Sequence, residues 1–308
     1  MLAKKIILLS MALCTGAFAA DDAHNQPHST RIMTFHFQEA VPHLEITAAI
    51  QEENRKKHIK RTLALKLLNR IQPDILGLQE LHQGDVEYFK QNTAGYDWKG
   101  RPVRFVSGDF NDIYSNLSSF GKSGTDYNPI FYKSNTYECL ESNAFWLNEG
   151  MVEKEDSRSW NIPNRSDFTV RACTYAKLKD ARSQKTLWVF NTHLSLEVAI
   201  REKEMELIES QITKLAADNP TILIGNLNSS DLEHYHIPER FIVSKNIAQE
   251  IINQHLGSEG SETFDHILLK NMPETTVSRY EVVDYADEYT QDGIHPSDHR
   301  PVFVDIME

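Results

Sequence analysis

The sequence predicts an α+β fold in which helices pack on the outside of β-sheets. Strand-like apolar segments outnumber helical ones, and several of them follow one another with no helix between them. This succession is typical of mixed or antiparallel sheets rather than of a parallel sheet with regular crossover helices. No Pro-, Gly- or Ser-rich linker interrupts the series, so we expect one domain over residues 30–308.

Four segments are expected to be helical. In 54–72 the apolar residues recur at helical spacing, and Pro73 ends the pattern. The other three segments are 84–91, 198–217 and 247–256. Apolar runs of strand length are listed here in chain order: 31–37, 74–78, 129–133, 137–147, 170–178, 187–193, 221–224, 264–269, 280–284 and 301–306.

Two long segments, 97–128 and 148–169, lack periodicity and are expected to be functional loops. Their aromatic side chains have two interpretations. They could stack on a base or ring of a substrate, or they could anchor the loops to the domain, which is the more frequent role. These aromatic residues are Tyr114, Phe120, Tyr127 and Trp160.

The first twenty residues resemble a secretory signal peptide. Lys4 and Lys5 precede an apolar run over 6–13, and the small residues around Phe18 suit a cleavage site. The run is too short to span a bilayer, and no later segment is apolar for long enough. The mature protein, from about residue 21, is therefore expected to be periplasmic or secreted.

Without Lys4 and Lys5, 30 basic residues stand against 44 acidic ones, a net charge of −14. This acidity disfavours long nucleic acid as a partner, although it leaves room for a local basic groove. Two cysteines, Cys139 and Cys173, follow the leader. An oxidising compartment permits a disulfide between them. Both lie in strand-like apolar stretches, so buried free thiols are the simpler expectation.

Polar residues stand at six predicted strand ends. One such end is adequately explained as a solvated turn, but six in one chain suggest that the strand ends meet at a single rim. The residues are His36, Glu80, His193, Asn226 with Asn228, Asp265, and Asp298 with His299. An adjacent carboxylate and imidazole, as at 298–299, can hold a cation and face a phosphoester.

Several motifs, in their order along the chain, resemble those of the endonuclease/exonuclease/phosphatase family, the metal-dependent phosphoesterases related to pancreatic deoxyribonuclease. The most specific are Leu78-Gln79-Glu80, Asn191-Thr192-His193 and 297–302, which reads Ser-Asp-His-Arg-Pro-Val. The others are 31–35, 73–77, 128–132, 145–147, Arg171 with 175–178, 224–228 and 264–267. The resemblance implies a four-layer αββα sandwich of two mixed sheets, and the long loops are most similar to a bacterial exported branch.

The resemblance also implies roles for single residues. Glu80 would bind a divalent cation, Mg²⁺ or Mn²⁺, with help from Asp298 directly or through water. His193 would donate to the scissile phosphate, and Asn228 would orient a phosphate oxygen or the attacking water. His299 would face the phosphate with its tautomer set by Asp265, while Arg171 would add positive charge.

Two positions depart from the family pattern. The first strand normally ends in Asn and here ends in His36, and the motif Gly-Asp-x-Asn here reads Gly225-Asn226-Leu227-Asn228. The missing Asp is the usual candidate for orienting or deprotonating the water, and an amide cannot accept that proton. Losing a general base typically costs about 10²–10⁴ in rate.

Three interpretations of Asn226 stay open. The protein is a non-catalytic binder, or it is a site-directed inactive variant, or another group is the base, with the Asp265–His299 pair best placed. His36 also has two interpretations: a neutral hydrogen-bonding replacement for Asn, or a cation ligand that favours Mn²⁺ or Zn²⁺ over Mg²⁺.

The substrate class has three alternatives with different surface signatures. A nuclease should show a basic track near His193 and His299. A lipid phosphodiesterase should expose an apolar lip, and an inositol phosphatase should cluster Lys and Arg over its pocket. The segment 229–262 is short beside the family's usual stretch, so part of a substrate wall is expected to be missing.

Overall fold

The computed structural model describes residues 29–37, 48–104, 125–147, 171–237, 239–246, 263–273, 277–285 and 287–307. The strands, in chain order, are β1 (Ser29–His36), β2 (Ile75–Gln79), β3 (Tyr96–Lys99), β4 (Pro102–Arg104), β5 (Thr125–Tyr127), β6 (Ile130–Lys133), β7 (Tyr137–Trp146), β8 (Ala172–Asp180), β9 (Thr186–His193), β10 (Thr221–Asn226), β11 (Ile242–Val243), β12 (Asp265–Lys270), β13 (Val277–Val282) and β14 (Val302–Met307). The helices are α1 (Ala48–Ile71), α2 (Gln83–Asn92) and α3 (Val198–Ala216), with a 3₁₀ turn at Asp287–Tyr289.

Twelve of these strands form two six-stranded mixed sheets. The first has the order β13-β14-β1-β2-β6-β3 and the second the order β11-β12-β10-β9-β8-β7. Among the described strands, β1–β2 and β9–β10 pair in parallel and the other neighbours are antiparallel. The remaining strands, β4 and β5, pair with each other. The expected mixed sheets are confirmed.

Successive side chains along a strand face opposite sides of the sheet, which divides the core into layers. In β1, Ile32 belongs to the cluster between the two sheets, which also holds Ile222 and Ile224 of β10. The next residue, Met33, faces the opposite way and packs with side chains of α1 and α2. On the outer side of the second sheet, Leu223 packs with side chains of α3. The layers are therefore helix, sheet, sheet and helix, as the αββα expectation required.

The end of α1 agrees with the proline signal in the sequence. α1 stops at Ile71, and Gln72 leaves the helix with φ 50° immediately before Pro73. α3 presents Met205, Ile208 and Ile212 to the second sheet.

Within the part of the chain described, no helix is both long and apolar enough to cross a membrane.

Part of the segment expected as a loop at 97–128 is strand. β3, β4 and β5 form at its two ends because they find partners that are distant in sequence: β3 pairs with β6, and β4 pairs with β5. Tyr127, at the end of β5, packs against the core on the α1 side, so it is a structural anchor. The expected helix 247–256, the loop 148–169, the leader 1–20 and the aromatic residues Tyr114, Phe120 and Trp160 lie outside the described residues.

Both cysteines are free thiols in the structure. Cys173 in β8 is fully buried, and burial raises its pKa. Cys139 in β7 is only half-buried, so the expectation of burial is right for one of the two. In the β7–β8 register Cys139 lies opposite Leu178, and Cys173 lies opposite Phe145, which separates the two sulfurs along the ladder.

Candidate active site

Register in the second sheet places three of the expected site residues in one row. Asn226, the last residue of β10, lies opposite His193 of β9 and opposite Asp265 of β12. All three are buried, with at most 5% of each residue exposed. Because β9 and β10 are parallel, their carboxyl ends meet at the same edge of the sheet, and the antiparallel β12 begins there.

Glu80 follows β2 in the first sheet and faces this row. Its backbone has φ 56°, an uncommon conformation for a residue with a Cβ. Its Oε1 lies 3.1 Å from His193 Nδ1 and 3.8 Å from an Arg171 nitrogen. Burial alone raises the pKa of this carboxyl, but the imidazoles of His193 and His36 outweigh burial and leave the pKa far below its usual value. Glu80 is therefore an anion at neutral pH.

His193 is held as a neutral imidazole between two elements of the site. The Asn228 amide nitrogen, a donor, lies 3.0 Å from Nε2. Nδ1 lies 3.1 Å from Glu80 Oε1, an acceptor, and 2.8 Å from an Arg171 nitrogen, a donor. Burial, reinforced by Arg171 2.8 Å from Nδ1, lowers the pKa of His193 to about 3. The ring therefore positions the carboxylate without adding charge.

The turn after β10 holds Asn226 and Asn228. Asn226 Oδ1 accepts the backbone N–H of Asn228 at 2.7 Å, and the Asn228 amide also donates to Leu194 O at 2.6 Å. Gly225 makes the turn sterically possible. Its φ is +148°, and a Cβ there would lie 2.0 Å from Thr192 O.

His299 and Asp265 form a hydrogen-bonded pair. His299 Nδ1 lies 2.7 Å from Asp265 Oδ2, and the carboxylate can only accept, so Nδ1 carries the proton. Asn226 Nδ2 is farther from the same nitrogen, at 3.4 Å. Burial alone lowers the pKa of His299, but the hydrogen bond to Asp265 and the charges of Asp265, Asp298 and Glu80 outweigh burial and raise it.

His36, at the end of β1, lies between the two halves of the site. Its ring centroid is 4.8 Å from that of His193 and 4.3 Å from that of His299. Its Nε2 lies 3.4 Å from Glu80 Oε2 without hydrogen-bond geometry, and within the described part of the chain both buried ring nitrogens have no hydrogen-bond partner. Both interpretations of His36, the hydrogen-bonding replacement for Asn and the cation ligand, stay predictions.

Among the described residues, two groups of side chains bring potential ligand atoms within 4.8 Å of one another, and His36 belongs to both. One group is His36, Glu80 and His193, and the other is His36, Asp298 and His299. Carboxylate oxygens together with unpartnered imidazole nitrogens fit a divalent cation. All nine expected site residues thus meet at this rim.

Several supporting residues were visible in the sequence only as members of motifs. Asn191 of β9 donates from its amide to Leu78 O at 2.9 Å and to Pro129 O at 2.8 Å, which links the two sheets. Gln79 donates to the Asn191 amide oxygen at 2.7 Å. Gly77 permits this contact, because a Cβ there would lie 2.9 Å from that oxygen. These amides fix the position of β2, and so of Glu80, against β9.

Ser297 and Tyr285 hold the last loop. Ser297 Oγ donates to His36 O at 2.6 Å and accepts the backbone N–H of His299 at 3.0 Å. Tyr285 donates its hydroxyl to His299 O at 2.5 Å. The loop that carries Asp298 and His299 is therefore tied to β1, the strand that carries His36.

Apolar side chains are exposed on the rim near these residues. Leu196 and Val198 follow His193 in the chain, and Phe264 precedes Asp265. The Phe264 ring centroid is 6.4 Å from that of His299. Phe264 therefore places an exposed apolar side chain near His299.

The fold is shared with solved structures. A protein of the endonuclease/exonuclease/phosphatase family from Bacteroides vulgatus superposes with a TM-score of 0.70 at 21% identity, covering 91% of this chain and 100% of that one. A mannosyl-6-phosphatase from Bacteroides thetaiotaomicron gives 0.66 at 18% identity over 90% and 99% of the two chains. The D. rerio protein TDP2, complexed with a single-strand DNA product, gives 0.58 at 14% identity over 90% and 98%.

The profile of the Endonuclease/Exonuclease/phosphatase family matches residues 50–299, most of the chain. That match includes eight of the nine residues gathered at the rim, all except His36. The expected resemblance is confirmed: this chain belongs to the Endonuclease/Exonuclease/phosphatase family, whose members hydrolyse phosphoesters.

Proposed function

We propose that the protein is an exported, metal-dependent phosphoesterase that hydrolyses a phosphodiester or a small phosphorylated molecule by water attack. The observation that carries the proposal is the 2.7 Å Asp265–His299 pair lying within one rim with Glu80 and His193. Such a rim combines an anionic cation ligand with an oriented imidazole, the two components that hydrolysis of a phosphate ester needs.

Glu80, Asp298 and His36 would hold the cation, Mg²⁺ or Mn²⁺ in the family's usual chemistry. A divalent cation supplies positive charge against the phosphoryl oxygens and lowers the pKa of the attacking water. Glu80 suits this role because its carboxyl is ionised and His193 fixes its orientation.

The chain's own residues would handle the phosphate as follows. Asn228 and His193 contact each other, and a phosphate oxygen would bind by replacing that contact, with the amide donating to it. Arg171 would balance the negative charge that builds on the phosphoryl group. It lies beside His193 and Glu80, so it acts from the buried side of the site.

The Asp265–His299 pair is our candidate for the missing base. With the proton of Nδ1 directed at Asp265, Nε2 is the nitrogen that can accept a proton from water. Asn226 cannot do this, because its oxygen accepts the Asn228 N–H and an amide does not take up a proton at neutral pH.

A small phosphorylated substrate is favoured over long nucleic acid. The net charge of −14 after removal of the leader opposes a polyanion. The similar structures leave both classes open, since one is named a mannosyl-6-phosphatase and another holds a DNA product.

Export rests on the leader at 1–20. Expression of the full chain in a bacterial host, fractionation and N-terminal sequencing test it. A periplasmic or secreted product that begins near Asp21 supports export, and an uncleaved cytosolic product contradicts it.

The activity is tested on the mature protein with bis-nitrophenyl phosphate and with a sugar phosphate. Each substrate is assayed with Mg²⁺, with Mn²⁺ and with a chelator. We expect cation-dependent hydrolysis that His299→Ala lowers by about 10²-fold or more and that the exposed control His236→Ala leaves unchanged. Activity that survives the chelator, or that survives His299→Ala, would contradict the mechanism.

Asn226 favours a second candidate function, a binding protein on the same scaffold. The turn after β10 keeps the contacts of Asn228 with Asn226 and with His193, but it lacks the carboxylate that the family places at position 226. This alternative expects phosphate or cation affinity and no turnover of any phosphoester.

A further inference from the structure

His36 is the least satisfied polar side chain of the site. The residue is 3% exposed, and both Nδ1 and Nε2 are buried with no hydrogen-bond partner among the described residues. Leaving a buried polar group unpaired is energetically unfavourable. A buried imidazole beside the carboxylate of Glu80 has the chemistry of a ligand for a divalent cation.

His36 is also the imidazole best able to offer a nitrogen toward Glu80. His193 contacts Asn228 through Nε2, and Glu80 and Arg171 through Nδ1, so both of its nitrogens are engaged. His299 uses Nδ1 for Asp265. His36 Nε2 instead lies 3.4 Å from Glu80 Oε2, a separation that two neighbouring ligands of one ion show when their bonds are about 2.1 Å long.

We propose that His36 makes this a mixed nitrogen–oxygen site that selects a transition-metal ion over Mg²⁺. The ion is Zn²⁺, Mn²⁺ or a close analogue, bound by His36 Nε2 and Glu80 Oε2. Asp298 joins His36 only in the second ligand group and is not grouped with Glu80, so the ligands assigned to this ion are His36 and Glu80. The biological role of this metal preference rests on the proposed function, whereas the binding of the ion does not.

The selection follows from ligand type. Mg²⁺ takes oxygen ligands and gives up its water reluctantly, so a buried imidazole adds little to its binding. Imidazole binds Mn²⁺ and, more strongly, Zn²⁺. With the usual Asn at position 36, the same place would offer an amide oxygen, which Mg²⁺ accepts. The exchange at one strand end therefore changes the class of cation.

The test uses binding and spectroscopy on the mature, metal-free protein. Mn²⁺ is added, and pulsed electron paramagnetic resonance detects the coupling of a directly bound imidazole nitrogen. Calorimetry then compares Zn²⁺, Mn²⁺ and Mg²⁺. Wild type is compared with His36→Asn and His36→Gln, and with His236→Asn, which removes an exposed imidazole. Circular dichroism establishes that each variant is folded.

We expect the nitrogen coupling in wild type and in His236→Asn, and its loss in both His36 variants. Zn²⁺ should bind wild type at least about tenfold more tightly than either His36 variant, since even outer partners of a metal site are worth about 10–100-fold. The affinity for Mg²⁺ should be weak in wild type and no weaker in His36→Asn.

Nitrogen coupling that persists in both His36 variants would overturn the proposal, as would Mg²⁺ binding to wild type as tightly as Mn²⁺. These outcomes are separate from the proposed function. Cation binding through His36 with no hydrolysis of any phosphoester would end the function and leave this inference intact. Hydrolysis supported by Mg²⁺ and indifferent to His36 would end this inference and leave the function intact.

Discussion

His299 Nδ1 and Asp265 Oδ2 lie 2.7 Å apart, although 34 residues separate them in the chain. Asp265 begins β12 in the second sheet, and His299 precedes β14 in the first. The contact therefore joins the two sheets at the rim of the site. It also fixes which nitrogen of His299 carries the proton, and so which nitrogen can accept one.

Asp265→Asn should lower kcat by about 10²-fold or more, because an amide can donate to Nδ1 and so stabilise the other tautomer. The measurement is hydrolysis of bis-nitrophenyl phosphate together with nitrogen NMR of the His299 ring. The matched control is Asp231→Asn in an exposed loop. Unchanged kcat with an unchanged tautomer would refute the role of the pair.

Asn226→Asp should raise the rate of hydrolysis by about 10²–10⁴-fold, because it restores a carboxylate beside His299. Wild type, Asn226→Asp and the exposed control Asn92→Asp are assayed side by side. If wild type and Asn226→Asp both fail to turn over every phosphoester tried, the binding-protein alternative is correct.

Gly225→Ala should destabilise the fold by about 3 kcal/mol or more, because its Cβ would lie 2.0 Å from Thr192 O. Urea unfolding measures the change. Gly293→Ala is the control: Gly293 also has positive φ, at +74°, but no atom lies within 4 Å of its Cβ position. Its cost should be only the backbone strain, about 1–2 kcal/mol. Equal costs for both variants would show that the clash at Gly225 is relieved.

Stability should fall on acidification partly through His266. Burial lowers the pKa of His266 from 6.5, although its hydrogen bond to Ser229 O opposes that shift. The unfolded chain therefore takes up a proton near pH 6.5 that the folded protein does not. Stability is complete above that pH and declines as the pH drops toward the folded pKa, by at most about 1.4 kcal/mol per pH unit.

His266→Gln keeps a hydrogen-bond donor but cannot titrate in this range. Unfolding free energies of wild type and variant are compared at pH 7.5, 6.5 and 5.5. The difference between the two should shrink or reverse as the pH falls. Parallel curves would show that His266 does not contribute to acid sensitivity.

The sequence anticipated strands and helices well where apolar spacing was regular. α3 was expected at 198–217 and spans Val198–Ala216, and β9 was expected at 187–193 and spans Thr186–His193. The short strands β3, β4 and β5 were missed because their side chains carry little periodicity. They form because a distant partner supplies the hydrogen bonds, as β6 does for β3.

The chemical types in the candidate site were also legible in the sequence, through the polar residues at strand ends. What could not be read was how they are paired. Nothing in the order of residues says that His193 is occupied by Asn228 and Arg171, or that His36 has no hydrogen-bond partner. Such contacts depend on the positions of side-chain atoms to within a fraction of an ångström.

The amino-acid sequence by itself determined the layered α+β class, the family and the set of residues available for chemistry, because periodicity and short motifs are local properties of the sequence. The tertiary structure alone decided the register that aligns His193, Asn226 and Asp265, and the distances that set each protonation state. Register and burial arise only when two sheets pack, since a side chain's charge state depends on neighbours that folding brings from far along the chain.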